Sequence, residues 1–262
     1  MVGKVEGYLL KKILNERAIH ITLIDPEKMS DEFAAFISSE SESLGSSAIM
    51  IGGTTFVSPN ALDNMVRTIK ESASIPIILF PNNVTGISKY ADAIWFMSLL
   101  NSADPYFIIG AQVLAAPLIK KFGLEAIPLG YIIVGEGGSA GIIGKAFPIP
   151  YDKPELASAH ALAAQFLGMR FIYLEAGSGA KYPVPSEMIK IVKNAINMPL
   201  IVGGGIKTGE QAKQIVSAGA DIVVTGTVTE MGKKEEVKSK LMEIINGVKE
   251  GAKSKIKELN LS

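Results

Sequence analysis

The stretch that decides the fold is Tyr173-Leu174-Glu175-Ala176-Gly177-Ser178-Gly179, which follows the apolar pair Phe171-Ile172. A short apolar run bounded by glycines predicts a buried strand of a parallel sheet that ends in a tight loop. In an α/β barrel, acids at the C-terminal ends of strands face the active site, so Glu175 is a candidate site residue. The glycines and Ser178 can offer N–H groups and a hydroxyl to an anion. Alternatively, Glu175 only caps the next helix and the glycines only make the turn.

Strand-like and helix-like segments alternate on both sides of this stretch. Apolar runs predict strands at residues 18–24, 48–51, 76–80, 93–97 and 126–134, in the run that carries Glu175, and at 199–202 and 222–225. Ser30, Ser58-Pro59 and Thr208 predict the starts of helices. Eight strands joined by crossovers predict a (β/α)8 barrel. The alternative, a doubly wound open sheet, would have its glycine fingerprint after the first strand, where this chain has the acidic loop Asp25-Pro26-Glu27-Lys28.

The alternation is incomplete at one place. Residues 84–91 contain Gly86 and are too few for a full crossover helix between the third and fourth strands. We therefore expect a modified (β/α)8 TIM barrel with a degenerate third helix. Further helices are predicted at 105–122, 155–167, 185–196 and 209–218, with a glycine-rich loop at 135–144 and a lysine-rich final helix. No Ser/Gly/Pro-rich linker divides the chain, which predicts a single domain over residues 1–262.

Composition narrows the classes of function. The 262 residues are 48% hydrophobic, so the chain can bury a large core. Lys+Arg and Asp+Glu number 26 each, and a formal charge of +0 argues against nucleic acid as the main partner. The lack of cysteine excludes disulfides, thiolate metal sites and a cysteine nucleophile. With no signal peptide and no transmembrane segment to be seen, we expect a soluble, cytoplasmic protein.

Glycine-rich loops follow the last two predicted strands. They are Gly203-Gly204-Gly205 and Gly226-Thr227. Loops at these two places form the recurrent phosphate site of α/β barrels, because glycines bring several N–H groups onto one anion. The pair of loops therefore predicts phosphate binding, with plain turn chemistry as the alternative.

A divalent-cation site is predicted after the first two strands. Asp25 ends the first strand and Thr54 follows the second, and neighbouring strands of a barrel direct such side chains to one place. A carboxylate and a hydroxyl, completed by waters and phosphate oxygens, are ligands that Mg²⁺ accepts. Alternatively, Asp25 starts a turn and Thr54 caps a helix. His20 and His160 lack a third partner for zinc and are expected to be structural.

Bulky aromatic residues surround the fourth strand and the helix after it. They are Trp95, Phe96, Tyr106 and Phe107. Such residues are usually core, but they are also suited to line an apolar groove beside the degenerate helix.

Six motifs, each at a predicted strand end, together resemble the geranylgeranylglyceryl phosphate synthase family over essentially the whole chain. They are Leu23-Ile24-Asp25-Pro26-Glu27-Lys28, Gly52-Gly53-Thr54, Pro81-Asn82-Asn83, Tyr173 to Gly179, Gly203-Gly204-Gly205-Ile206 and Gly226-Thr227. That family has a (β/α)8 barrel without its third helix. Some bacterial relatives, which use a longer prenyl chain, carry a lysine where this chain has Leu23, so the resemblance is to the archaeal branch.

The resemblance implies a Mg²⁺-dependent prenyltransferase of membrane lipid biosynthesis. It would join sn-glycerol 1-phosphate to geranylgeranyl diphosphate, with Asp25 and Thr54 as metal ligands, Glu175 as general base and Tyr173 orienting the attacking hydroxyl. It further implies a homo-oligomer that can work close to a membrane. The implied substrate-binding residues are Tyr173, Leu174, Glu175, Ala176, Gly177, Ser178, Gly179, Gly204, Gly205, Gly226 and Thr227.

Three other functions remain open from the sequence. One is a synthase that uses a longer prenyl diphosphate. Another is a sugar-phosphate isomerase or aldolase, although Lys181 and Lys207 lie in loops and are weak candidates for a Schiff base. The third is a barrel that binds a phosphorylated metabolite without catalysis, which would not need Glu175 together with Asp25.

Overall fold

The structure is a computed structural model that describes residues 2–53, 58–230 and 232–259. Eight parallel strands pair in chain order, and β1 also pairs with β8, so the sheet closes into a barrel. The predicted (β/α)8 fold is therefore confirmed. The strands are β1 Ile19–Ile24, β2 Ala48–Ile51, β3 Ile77–Leu79, β4 Ala93–Leu99, β5 Glu125–Ile133, β6 Phe171–Glu175, β7 Leu200–Gly203 and β8 Ile222–Thr225.

Helices surround the barrel and cover its strands. Those named in the described residues are α1 Lys4–Glu16, α2 Asp31–Leu44, α3 Pro59–Ser72, α4 Ala111–Phe122, α5 Gly138–Ile143, α6 Pro154–Phe166, α7 Ser186–Ala195, α8 Gly209–Ser217, α9 Thr227–Glu230 and α10 Lys234–Leu259, with a π-helical turn Tyr106–Gly110 before α4. Ser30, Ser58 and Thr208 accept hydrogen bonds from the first turns of α2, α3 and α8, as their positions predict.

The third crossover helix is missing, as expected. Residues 80–92 connect β3 to β4 without a helix. Asn83 Oδ1 accepts hydrogen bonds from the N–H and the hydroxyl of Thr85, which forms a tight turn where a helix would otherwise lie. The side of the barrel next to β4 is therefore left without a covering helix at this point, which opens space beside the strand.

Several elements differ from the sequence prediction, and one of them is the short helix α9, which has no counterpart in it. Residues 135–144 were expected to form a loop, but Gly138–Ile143 is helical as α5. The helix α1 has no counterpart in the prediction; it lies at the N-terminal end of the barrel, where its Val5 and Leu9 join the barrel interior. Glu125, the first residue of β5, accepts hydrogen bonds at 2.7 and 2.8 Å from the N–H groups of Val5 and Glu6.

Apolar side chains fill two concentric layers. Inside the barrel, Trp95 packs edge-on against Phe171 with ring centroids 5.2 Å apart. Outside the strands, alternating residues pack against the helices. Among the described residues, no helix combines the length and apolarity needed to cross a membrane.

Candidate active site

Two cavities meet at the C-terminal end of the barrel. Counted with the space open to solvent, the smaller one spans about 400 Å³ and the larger about 1170 Å³. Leu23, Glu175 and Ser178 line both of them. Of the residues predicted to bind substrate, Tyr173, Glu175, Ser178, Gly179, Gly204, Gly205, Gly226 and Thr227 line the smaller cavity.

Glu175 lies at the junction of the two cavities. It ends β6, and only 7% of its surface is exposed. Its Oε1 accepts a hydrogen bond of 2.6 Å from the N–H of Gly177, two residues further on. The Tyr173 side chain also hydrogen-bonds to this carboxylate. The loop that follows β6 therefore folds back to hold the acid in one orientation.

Burial controls the protonation of this pair. Burial raises the pKa of Glu175 above its usual 4.5, and the hydrogen bonds from Tyr173 and Gly177 only partly oppose it. Burial, together with the charge of Glu175, also raises the pKa of Tyr173 well above 10.0. Tyr173 is therefore a neutral hydroxyl donor, while Glu175 is a carboxylate that takes up a proton more readily than one in water.

Glycines at the end of β7 make room for these two side chains. A Cβ at Gly203 would collide with the Tyr173 hydroxyl, and one at Gly204 would collide with Glu175 Oε1. Gly204 also has φ +84°, which L side chains rarely adopt. The glycine run after β7 is thus required by the buried Tyr173–Glu175 pair as well as by the turn.

The smaller cavity is lined by glycines and hydroxyl-bearing side chains together with the apolar Leu23, Ile206 and Val224. Ser178 Oγ lies 3.2 Å from Thr227 Oγ1, which joins the loop after β6 to the loop after β8. Lys207 supplies the one cationic side chain among the residues that line this cavity. Several N–H and O–H donors around a small space, with one cation at the edge, suit a phosphorylated ligand.

The larger cavity is mainly apolar and extends beside β4, where the third helix is missing. Phe80, Tyr131 and Tyr173 form a cluster of rings near the junction, with centroids 5.2–5.6 Å apart. Trp95 and Phe107 line this cavity, as the groove interpretation expects. Tyr106 is not one of its lining residues and instead packs edge-on against Phe107 at 5.2 Å.

The metal ligands predicted from the sequence are described only in part. Asp25 is 8% exposed and lines the larger cavity, whereas Thr54 lies outside the described residues. A Cβ at Gly53 would come within 2.6 Å of Asp25 Oδ1, so this glycine keeps the carboxylate accessible. No group of three or more His, Asp or Glu that could hold a metal occurs in the described part of the chain. One carboxylate beside a substrate cavity fits Mg²⁺, which is usually bound by one or two carboxylates and substrate phosphates.

Some predicted residues lie elsewhere. The side chains of Leu174 and Ala176 pack in the layer between barrel and helices. His20 is buried and lies 2.6 Å from Ser46 Oγ and 2.8 Å from Thr225 Oγ1. Burial lowers the pKa of His20 to about 3, so its imidazole is neutral and structural.

Sequence reasoning missed a cluster of charges at the edge of the larger cavity. Lys28 Nζ lies 2.9 Å from Glu230 Oε2 and 3.4 Å from Asp25 Oδ2. Lys28 follows β1 and Glu230 ends α9, just after β8. The proximity of Lys28 and Glu230 could have been predicted from the sequence, because they follow the first and last strands, which are neighbours in a closed barrel.

Comparisons with known proteins agree with this architecture. A model of the PcrB family matches residues 11–247. Geranylgeranylglyceryl phosphate synthase of Pyrococcus horikoshii is 55% identical over 248 residues, which are 94% of this chain and 97% of that protein. The Thermofilum pendens protein of the same name is 50% identical and covers 98% of this chain and 100% of its own length.

A solved structure matches as well. It is (S)-3-O-geranylgeranylglyceryl phosphate synthase of Thermoplasma acidophilum in complex with its substrate sn-glycerol-1-phosphate. It superposes with a TM-score of 0.90 and 40% identity, and the match covers 95% of this chain and 100% of that one. With a family model over most of its length and relatives at half identity or more, this chain belongs to the PcrB family.

Proposed function

We propose that this chain joins sn-glycerol 1-phosphate to geranylgeranyl diphosphate through an ether bond and releases diphosphate, in the synthesis of membrane lipids. The observation that carries the proposal is the meeting of two unlike cavities at one buried carboxylate, Glu175. The smaller, donor-rich cavity suits a phosphorylated alcohol, and the larger apolar cavity suits a hydrocarbon tail. The names of the relatives support the same pair of substrates.

The smaller cavity would hold the glycerol phosphate. The loops after β6, β7 and β8 supply backbone N–H groups at Gly204, Gly205 and Gly226, and hydroxyls at Ser178 and Thr227. Groups fixed before the substrate arrives need little reorganisation, so much of the rate would come from positioning.

Glu175 would accept the proton of the attacking glycerol hydroxyl. Burial raises the pKa of Glu175 towards neutral pH, and a general base is most effective when its pKa lies near the working pH. The neutral Tyr173 hydroxyl and the Gly177 N–H hold the carboxylate, so that its free lone pairs can face the substrate.

The larger cavity would hold the prenyl tail and keep water away from the reacting carbon. The allylic C–O bond to the diphosphate breaks with carbocation character, and the glycerol oxygen forms the new C–O bond. The hydroxyl proton moves to Glu175, and diphosphate leaves with the electron pair of the broken bond. The walls around the tail include Ile87, Ile94, Phe96, Met97, Leu99 and Ile119.

Mg²⁺ belongs to this proposal as the cofactor. Asp25 would hold it together with diphosphate oxygens, and Thr54 is the second ligand expected from the sequence. When bound, Mg²⁺ stabilises the negative charge that collects on the departing diphosphate.

The test is a direct assay of the purified chain. It is incubated with both substrates in Mg²⁺ and, in parallel, in excess EDTA, and the ether product is identified by mass spectrometry. We expect product only with Mg²⁺. A lack of product in Mg²⁺ would refute the prenyltransferase, whereas equal product in EDTA would refute the metal. A parallel reaction with heptaprenyl diphosphate shows whether the enzyme prefers the twenty-carbon donor or the longer one.

A further inference from the structure

Lys28 lies at the edge of the larger cavity and bridges two carboxylates. Its ammonium nitrogen is 2.9 Å from Glu230 Oε2 and 3.4 Å from Asp25 Oδ2. The side chains of Asp25 and Glu230 are only 11% and 13% exposed, whereas that of Lys28 is 44% exposed. The ammonium thus covers the two acids from the solvent side, on a flexible stem that can move without disturbing the barrel.

The lining of the larger cavity presents a problem for an anionic ligand. It includes three carboxylates, from Asp25, Glu175 and Glu230, and no lysine or arginine among its described residues. A diphosphate that enters beside Asp25 therefore approaches like charges, unless cations lie between them. A cation is present at this corner in Lys28, which contacts two of the three acids.

In its present position this ammonium competes with a metal ion for the same carboxylate. Asp25 is the residue assigned to Mg²⁺, and two cations that share one carboxylate repel each other. The hydrogen bond to Glu230 would keep Lys28 close to the cavity after it leaves Asp25. From there, its nearest new anionic partner is the diphosphate that arrives with the metal.

We propose that Lys28 binds the diphosphate of the prenyl donor, and that its ammonium occupies the Asp25 carboxylate only until Mg²⁺ takes that place. The proposal rests on the proposed function for the nature of the donor and the metal. Lys28 is thereby a substrate-binding residue for the leaving group, which the sequence motif around Asp25 did not assign.

The proposal predicts two effects of opposite sign in one variant. Lys28→Met removes a competitor from Asp25, so Mg²⁺ alone should bind about threefold or more tightly than to the parent protein. The same change removes a charged hydrogen bond to the leaving group, so inorganic pyrophosphate in saturating Mg²⁺ should bind about tenfold or more weakly. Both affinities are measured by titration calorimetry.

Two controls separate this role from a structural one. Lys28→Arg keeps the charge and should keep pyrophosphate binding close to that of the parent. Lys238→Met removes a similar lysine–glutamate pair, 2.8 Å from Glu40, between α10 and α2, and should change neither affinity.

The proposal is overturned if Lys28→Met binds pyrophosphate as tightly as the parent, if its affinity for Mg²⁺ does not rise, or if the parent binds no pyrophosphate. Should the methionine variant fail to fold, as judged by circular dichroism, Lys28→Gln is put to the same two titrations. Because neither titration contains glycerol phosphate, a failed ether synthesis would count against the proposed function without altering these results.

Discussion

The two ends of the barrel each bury a glutamate, and they treat it in opposite ways. At the N-terminal end, Glu6 of α1 is 1% exposed and pairs with the Arg170 guanidinium through both of its oxygens. At the C-terminal end, Glu175 is buried almost as deeply, yet no cation pairs with it in the part of the chain that the structure describes. Its partners are a tyrosine hydroxyl and one backbone N–H.

This difference separates stability from function within one fold. A buried acid with a bidentate arginine is satisfied, and removal of either partner costs stability. A buried acid held only by neutral donors binds a proton more readily than an acid in water, which is the property a general base needs. The N-terminal, closed end therefore stabilises the barrel. The C-terminal, open end, where the two cavities lie, holds an acid without a counterion among the described residues, and the proposed function uses this acid as its base.

The largest expected effect is at the open end and concerns the proposed Mg²⁺ ligand. Asp25→Ala should lower turnover about a thousandfold or more, because it removes the carboxylate assigned to Mg²⁺. Binding of glycerol phosphate should persist, because Asp25 does not line the smaller cavity. Calorimetry with glycerol phosphate and a steady-state assay give the two quantities. Lost glycerol phosphate binding with intact Mg²⁺ dependence would show that Asp25 serves the other cavity.

At the closed end, Arg170→Met should destabilise the protein by about 3 kcal/mol, because it leaves Glu6 buried without its counterion. Thermal and urea unfolding measure this loss, and kcat should stay at the parent value. Lys12→Met is the matched control; it removes the exposed Lys12–Glu16 pair on the same helix and should cost about 0.5 kcal/mol or less. A partial recovery of stability in the double variant Glu6→Gln/Arg170→Met would confirm that the penalty comes from the unpaired charge.

Glu175→Gln should lower the chemical step about a hundredfold or more, with substrate affinities little changed. Single-turnover kinetics give the rate of that step. In the parent, activity should fall as the pH drops through a midpoint above 4.5, because the pKa of Glu175 is raised by burial. That acid limb should be absent in the variant, and a normal single-turnover rate would exclude Glu175 as the base.

The free energy of unfolding of Glu175→Gln also tests the difference between the two ends of the barrel. The pKa of Glu175 in the folded state lies above its unfolded value, so the stabilising contribution of the protonated form is lost as the pH rises through the folded pKa. Glu175→Gln should therefore leave the protein as stable at pH 8 as the parent or more so, whereas Glu6→Gln should weaken it. Equal losses from both variants in urea unfolding would remove the distinction between the two ends.

A third buried titratable group, His20, is held between the two ends by hydroxyls. Its pKa is about 3 in the folded state against 6.5 in the unfolded state, so the unfolded state binds more protons between these values. Above pH 6.5 the titration of His20 should not change the free energy of unfolding. Below pH 6.5 that free energy should fall by up to about 1.4 kcal/mol per pH unit. Urea unfolding from pH 7 to 4, compared with His20→Gln, isolates this slope. Identical slopes for the two proteins would show that the imidazole is already charged in the fold.

The smallest effect concerns the tail that the open end accepts. Phe107 lines the larger cavity and Tyr106 does not, although their rings touch. Phe107→Ala should allow the enzyme to use longer prenyl donors. Each additional CH₂ that becomes buried should strengthen donor binding by about 0.8 kcal/mol. Tyr106→Ala should keep the length limit of the parent. A donor series of rising length tests both variants. An unchanged limit in both would return Phe107 to the role of a core residue.

Local signals predicted much of the barrel. Seven of the eight strand ends are marked by glycine, proline or an acid, whereas β4 is followed by Leu100 and Asn101. Ser30, Ser58 and Thr208 cap the helices that they were expected to start. The convergence of Glu175 with the last two glycine loops was also predictable, because the C-terminal ends of parallel strands meet at one end of a barrel.

What was missed depends on contacts that are distant in sequence. The helix α1 owes its position to Glu125 and Arg170, which lie more than a hundred residues away along the chain. The helix α5 lies in a glycine-rich segment of low helix propensity, and Ala140 packs against the barrel interior there. The contact between Lys28 and Glu230 depends on barrel closure, which brings residues 202 positions apart side by side.

The wall shared by the two cavities has a consequence for the product. Under the proposed function each substrate would occupy one cavity, whereas the ether lipid, which joins head and tail, would reach into both, past Leu23, Glu175 and Ser178. A ligand anchored at two places rebinds its free half at a high effective concentration, so it dissociates more slowly than either half alone. The meeting of the two cavities would therefore make release of the finished lipid the slow step, and a bilayer that takes up this lipid would keep the enzyme in turnover.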